Sequence, residues 1–236
     1  MRAVAICLSV AALALAGCQT DAVSLTSNAS APKPKTVIVT DFAMSPDITV
    51  IDRGYTVRLS RKEGSDLPFH LRKERTLERV NDEIVATIVA TLRAAGLDAA
   101  PGSADAVSLK DDAVIVSGRL RGGDGPDKKG KGAGIGDGRS GVVADMKLER
   151  NGTFGKKPLA SFTAAPQGKA KIDNAAVEAA LTAESRAAGR LSPDVEGQVR
   201  AIGRGIGEKI LGYAREQGWL GAVVPPAEPE KKKAGV

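Results

Sequence analysis

Two long segments of helical periodicity constrain the fold of this chain most strongly. In the first, about residues 72–95, apolar side chains recur at steps of three and four residues: Leu77, Val80, Ile84, Ile88 and Leu92. The second starts at Ser192-Pro193, a capping residue followed by the residue favoured at the first helical position, and its apolar stripe runs to Tyr213. The sequence therefore predicts two main helices that each bury one face.

Segments with strand character lie before and between these helices. A β-branched run at 36–42 comes first, and four further segments follow the first helix at about 97–99, 113–120, 142–148 and 159–165. The order strand, helix, four strands, helix predicts an α+β fold, a mixed β-sheet with two main helices packed on it.

Details of the two helices carry further expectations. The second helix contains Gly203, Gly205, Gly207 and Gly212, and close packing against the sheet is the expected compensation for their cost of about 1 kcal/mol each. Near the start of the first helix, Arg79 and Glu83 stand at i and i+4 and are predicted to lie on a solvated face.

The N-terminus has the pattern of a secretory leader. Arg2 is followed by an almost wholly apolar run from Ala3 to Ala16, shorter than the roughly 20 residues of a membrane span. Leu15-Ala16-Gly17-Cys18 resembles a bacterial lipobox, which implies that residues 1–17 are a signal peptide removed by cleavage before Cys18. It also implies a diacylglyceryl group on the Cys18 thiol and a further acyl chain, such as palmitate, on the freed amine. The alternative is an ordinary signal peptide in which a cysteine follows the small residues.

The rest of the chain divides into a tether, one domain and a tail. Residues 18–35 are rich in Ser, Thr, Ala and Pro without periodicity, which predicts a flexible tether behind the lipidated Cys18. Residues 36–221 contain the helix and strand patterns and are predicted to form a single domain. Residues 222–236, rich in Pro and Lys, are predicted to be a disordered basic tail.

The composition excludes several kinds of site. With one His, two Cys and 3% aromatic residues, the chain cannot assemble a zinc site from Cys and His, a disulfide scaffold or a base-stacking platform. His70 has no catalytic motif around it. We therefore expect no metal, no cofactor and no nucleic-acid partner.

The glycine-rich stretch 122–141 contains near matches to three motifs. Residues 125–132 nearly spell a phosphate-binding loop, but Gly132 stands where Ser or Thr should hold Mg²⁺, and a strand follows instead of a helix. Residues 136–141 match the dinucleotide fingerprint but precede a strand. Residues 138–141 suggest a nucleophile elbow, but Val142 replaces its closing glycine. None of the three predicts chemistry.

The charge of this stretch is more informative than its motifs. Six cations lie in it or at the end of the preceding strand: Arg119, Arg121, Lys128, Lys129, Lys131 and Arg139. They outnumber the acidic residues of the same stretch, which are Asp124, Asp127 and Asp137. The cluster predicts an anion-binding site for acidic glycan, phospholipid headgroups or an acidic protein surface. The alternative is a solvated loop between strands.

Four segments together carry a family resemblance: Val-Ile-Val-Thr-Asp-Phe at 37–42, Leu-Arg-Ala-Ala-Gly-Leu at 92–97, Val-Ser-Gly-Arg-Leu at 116–120, and the glycine-rich 132–143. They resemble an uncharacterised group of small bacterial lipoproteins whose domain of unknown function is distantly similar to the TolB N-terminal domain and the curli-secretion lipoprotein. The resemblance covers roughly residues 36–217. It implies a TolB N-terminal-like sandwich in the cell envelope and supplies no catalytic residues.

These observations favour a binding or adaptor protein over an enzyme. Gln19 follows Cys18, where an Asp favours inner-membrane retention of Gram-negative lipoproteins, so the resemblance implies the inner leaflet of the outer membrane. There a lipid-anchored domain would face the periplasm and bind an envelope protein or polymer. Two alternatives are a structural subunit of an envelope secretion or transport assembly and an envelope hydrolase. The hydrolase would use Asp41, Asp145 or Ser140.

Overall fold

The computed structural model of the chain describes residues 24–25, 31–54, 68–105, 112–123, 133–152, 155–165 and 191–220. Their regular elements, numbered in chain order, are β1 (Ser24–Leu25), β2 (Thr36–Met44), β3 (Thr49–Val50), α1 (Phe69–Ala94), β4 (Ala99–Pro101), β5 (Ala113–Gly122), β6 (Gly134–Ile135), β7 (Val142–Gly152), β8 (Gly155–Ala164) and α2 (Pro193–Glu216). The predicted α+β class is confirmed. The predicted leader and the predicted tail lie outside the described residues.

The strands form one large mixed sheet and one small one. The large sheet has six strands in the order β1-β8-β7-β5-β2-β4, with β2 parallel to β4 and β5 and the other pairs antiparallel. The small sheet pairs β3 with β6 in parallel. Asn151-Gly152 ends β7 where the hairpin to β8 begins, as its turn-forming sequence predicts.

Both helices pack on the same face of the large sheet. Side chains alternate along the strands, and Val114, Val116 and Leu120 of β5 join the helices in one buried cluster. The side chains between them point to the opposite side. We call that side the far face. On β5, β7 and β8 it carries Ser117, Arg119, Arg121, Asp145, Lys147, Ser161 and Thr163, together with Ile115, Val143 and Glu149.

Two expectations about the helices are wrong. Gly203 and Gly207 of α2 pack closely against α1 instead of the sheet, since a Cβ at Gly203 would lie 2.7 Å from Thr87 Cβ and one at Gly207 would lie 2.8 Å from Thr91 Cγ2. Arg79 and Glu83 are buried between the helices, where Arg79 Nη2 lies 2.9 Å from Glu83 Oε2 and Arg200 Nε of α2 lies 2.8 Å from Glu83 Oε1. The spacing of Arg79 and Glu83 can be read from the sequence, but the contact that Arg200 of α2 makes with Glu83 depends on how the helices pack.

The segment 31–35 is hydrogen-bonded to the domain, although it falls within the predicted tether. Trp219 Nε1 donates to Ala31 O at 2.7 Å, and Ala31 N donates to Gln217 Oε1 at 2.7 Å. Arg150 Nη1 donates to Pro32 O at 2.6 Å. Further upstream, β1 adds to the edge of β8, with Ser24 opposite Ser161.

Candidate binding site on the far face

The far face presents polar side chains in two cross-strand rows. Lys147 on β7 lies between Ser117 on β5 and Ser161 on β8. In the next row, Asp145 lies between Arg119 and Thr163. Directly opposed residues in antiparallel strands have Cβ atoms about 5 Å apart, so each row brings together side chains that are distant in sequence.

Asp145 is held as a carboxylate by its neighbours. Arg121 donates to both carboxylate oxygens, from Nε at 2.6 Å and from Nη2 at 3.3 Å, and Thr163 Oγ1 donates at 2.8 Å. The hydrogen bond from Arg121 is the main cause that lowers the pKa of Asp145. The charges of Asp145 and Arg121 therefore largely offset each other.

Arg119 and Lys147 supply the remaining positive charge of the site. Both side chains are exposed, and Arg119 Nη2 donates to Ser45 Oγ at 3.2 Å at the margin of the face. Arg119 lies opposite Asp145 on β5, Lys147 lies two residues beyond Asp145 on β7, and both line a depression of about 580 Å³. Its lining also includes Ser117, Ser161 and Thr163. This volume is within the usual range for small-ligand sites, and its charge suits an anion.

Asp47, in the segment after β2, connects the ends of β2 and β5 beside the site. Its Oδ2 accepts a hydrogen bond from Gly122 N at 2.8 Å. Hydrogen bonds from Ser45 and from the Gly122 backbone lower the pKa of Asp47. These contacts join the ends of β2 and β5 and place Ser45 beside Arg119.

The predicted anion-binding residues do not all meet in the described structure. Arg119 and Arg121 share the far face, but Arg121 is engaged by Asp145. Arg139 lies in the glycine-rich segment, where its side chain packs beside Gly134. Lys128, Lys129, Lys131 and the predicted lipidation site, Cys18, lie outside the described residues.

Four far-face residues that line the depression were missed as site residues: Ser117 on β5, Lys147 on β7, and the hydroxyl residues Ser161 and Thr163 on β8. The alternation in β7 could have placed Lys147 on the same face as Asp145. The two hydroxyls are brought there only by the pairing of β7 with β8.

The proposed hydrolytic residues lie in different places. Asp41 is exposed on β2 beside α1, where its charge adds to the effect of burial in raising the pKa of Asp82. Asp145 lies two strands away on β7. Ser140 is exposed in the glycine-rich segment, and His70 is exposed at the start of α1. In the described ranges, no group of three or more His, Cys, Asp or Glu residues is placed to hold a metal.

A smaller depression of about 200 Å³ lies beside the start of α2. Next to it, the buried Asp52 accepts hydrogen bonds from Ser192 N at 2.7 Å and from Ser192 Oγ at 2.6 Å. The helix starts at Pro193, as predicted, but the Ser192 hydroxyl bonds to Asp52 and makes no capping bond to the helix. Because these bonds join the segment after β3 to the start of α2, we interpret their role as structural.

The solved structures to which this chain is similar include two of dodecameric PelC from Paraburkholderia phytofirmans. One is a point variant with 16% sequence identity and a TM-score of 0.30, and it covers 78% of this chain and 98% of that chain. The other has 15% identity and a TM-score of 0.29, and it covers 78% and 96%. At such TM-scores the likeness supports no conclusion about this chain. No protein-family model and no curated protein matches it.

None of the helices in the described ranges is long and apolar enough to cross a membrane.

Proposed function

We propose that this chain is an outer-membrane lipoprotein whose periplasm-facing domain binds an anionic component of the envelope without catalysing a reaction. The observation that carries the binding role is the depression on the far face, bordered by the exposed cations Arg119 and Lys147. The lipobox-like sequence that ends at Cys18 carries the anchoring.

The properties of two described carboxylates, Asp145 and Asp82, favour binding over acid-catalysed hydrolysis at the depression. A general acid needs a raised pKa beside a bound substrate, whereas the pKa of Asp145 is lowered by Arg121. Asp82 has a raised pKa, but it lies on α1, on the other side of the sheet from the depression. The site therefore offers positive charge and hydroxyl groups, which suit recognition.

Lipidation is tested by metabolic labelling with a fatty-acid analogue, followed by separation of inner and outer membranes. The wild type should be labelled and recovered with the outer membrane. Cys18→Ser should be unlabelled. Equal labelling of both proteins would contradict the proposed anchor.

The binding role is tested with washed envelope fragments and the mature chain, residues 18–236, carrying Cys18→Ser so that no lipid contributes. Adding Arg119→Gln and Lys147→Gln should weaken binding to the fragments. The matched control adds Lys73→Gln and Lys157→Gln, which remove the same charge at two exposed positions off the far face. If both doubly substituted proteins bind like their parent, the far face is not the binding surface.

A further inference from the structure

The strand nearest the proposed anchor borders the far-face depression. Ser24 of β1 pairs with Ser161 of β8, and Ser161 lines the depression. A polypeptide spans at most about 3.5 Å per residue, so the chain between Cys18 and Ser24 reaches no more than about 20 Å. An acylated Cys18 would therefore hold this side of the domain close to the bilayer surface.

The fold downstream of β1 keeps the domain from moving further away. Ala31 is bound by Trp219 and Gln217, and Pro32 by Arg150. Because these contacts join the N-terminal segment to β7 and to the residues directly after α2, the reach of the anchor is set by the residues before β1. Within the stretch 18–35, residues 24–25 and 31–32 are therefore bound to the domain and are not part of a free tether.

The chemistry of the depression complements a phosphodiester headgroup. Arg119 and Lys147 are cations of the kind that bind phosphate oxygens. The hydroxyls of Ser117, Ser161 and Thr163 line the same depression and can bond to the polar atoms of a headgroup. Each basic residue near an anionic membrane contributes about 1 kcal/mol.

We infer that the far-face depression binds the headgroup of an anionic phospholipid in the membrane that holds Cys18. This inference rests on the proposed lipid anchor and on the far face as the binding surface. The acyl chains and the headgroup contact then act as two membrane signals, a combination that gives stable attachment and a defined orientation. The sheet faces the bilayer, and α1 and α2 face the periplasm.

The experiment measures sedimentation of the mature chain carrying Cys18→Ser with vesicles of phosphatidylcholine, alone or mixed with phosphatidylglycerol. We expect binding to the mixed vesicles only. Adding Arg119→Gln and Lys147→Gln should weaken the partition about 30-fold, from about 1 kcal/mol per charge and tenfold per 1.4 kcal/mol. The control with Lys73→Gln and Lys157→Gln should retain most of the binding.

A second measurement tests the orientation. The mature chain with Cys18→Ser contains no cysteine, so a fluorophore can be attached at Val143→Cys, which lies opposite Arg121 on β7 and outside the lining of the depression, or, on α1, at Glu74→Cys. Lipids with a spin label on the headgroup should quench the fluorophore at residue 143 and spare the one at residue 74. Equal quenching would overturn the inference.

The remaining outcomes separate the inference from the proposed function. If the Arg119→Gln and Lys147→Gln pair weakens binding to envelope fragments but pure lipid vesicles bind nothing, a protein or glycan occupies the site and the headgroup inference is wrong. An equal loss of vesicle binding in the two doubly substituted proteins also overturns the inference, because it indicates that binding depends on the overall surface charge and not on the depression. If vesicles bind as expected but Cys18 is never labelled, the headgroup site stands and the anchor fails.

Discussion

The close contact between α1 and α2 at Gly203 leads to a quantitative prediction. A Cβ at this position would lie 2.7 Å from Thr87 Cβ, 2.9 Å from Thr87 Cγ2 and 3.0 Å from the backbone oxygen of Ile84. The first and last of these atoms cannot move by a change of rotamer. Gly203→Ala must therefore push the helices apart.

The magnitude follows from two opposing effects. Replacing an interior helical glycine by alanine stabilises a helix by about 1 kcal/mol. Overpacking a close contact costs about 1–3 kcal/mol, and the fixed atoms at Gly203 place it near the upper end. We expect Gly203→Ala to lower the free energy of unfolding by about 2 kcal/mol, the balance of the overpacking cost and the helix propensity.

Gly212 provides a matched control in the same helix. A Cβ there would meet no heavy atom within 4 Å, so Gly212→Ala should stabilise the protein by about 1 kcal/mol. Urea unfolding followed by circular dichroism measures both variants, and their difference of about 3 kcal/mol isolates the steric cost. If Gly203→Ala is as stable as Gly212→Ala, the helices do not approach as closely as described and the reasoning fails.

Two further predictions concern ionised side chains. Glu83→Gln should lower the free energy of unfolding in urea by about 3 kcal/mol, the lower end of the cost of breaking a buried ion pair. It removes the buried carboxylate that Arg79 and Arg200 share, while Arg200 keeps its ion pair with Glu196. A loss below about 1 kcal/mol would contradict a buried network of this kind. The lowered pKa of Asp145 means that its ionised form stabilises the fold above its unfolded pKa of about 3.9, and that this contribution is lost as the pH falls through the folded-state value. Asp145→Asn should therefore be less stable than the wild type at neutral pH, and its urea midpoint should fall less steeply than that of the wild type as the pH is lowered. If the urea midpoints of the two proteins fall in parallel, Arg121 does not hold this carboxylate.

Local patterns of the chain predict its elements well because helix and strand periodicities depend on neighbouring residues. The stripe from Leu77 to Leu92 lies in α1, which begins at Phe69, three residues before the predicted start. The Ser192-Pro193 pair places the start of α2 at the right residue. The short strands β3 and β6 were not predicted, since two-residue strands have no periodicity to detect.

The candidate site was predicted only in part. Arg119 and Arg121 were identified from their charge and their position beside the glycine-rich stretch, but their different roles were not. Arg121 pairs with Asp145, which is distant in sequence, while Arg119 stays exposed. Lys147 joins Arg119 only because β7 lies antiparallel to β5 in a particular register.

The sequence by itself determined the two helices, the main strands and the α+β class, because each follows from the spacing of apolar residues along a short stretch of chain. Tertiary structure alone decided that Gly203 and Gly207 of α2 pack against Thr87 and Thr91 of α1. It also decided that Glu83 is buried between two arginines, and that cations and hydroxyls from three strands share one depression. The physical reason is that helix packing and strand register bring together residues that are far apart in sequence. Whether a charged side chain is buried therefore depends on which element packs against it.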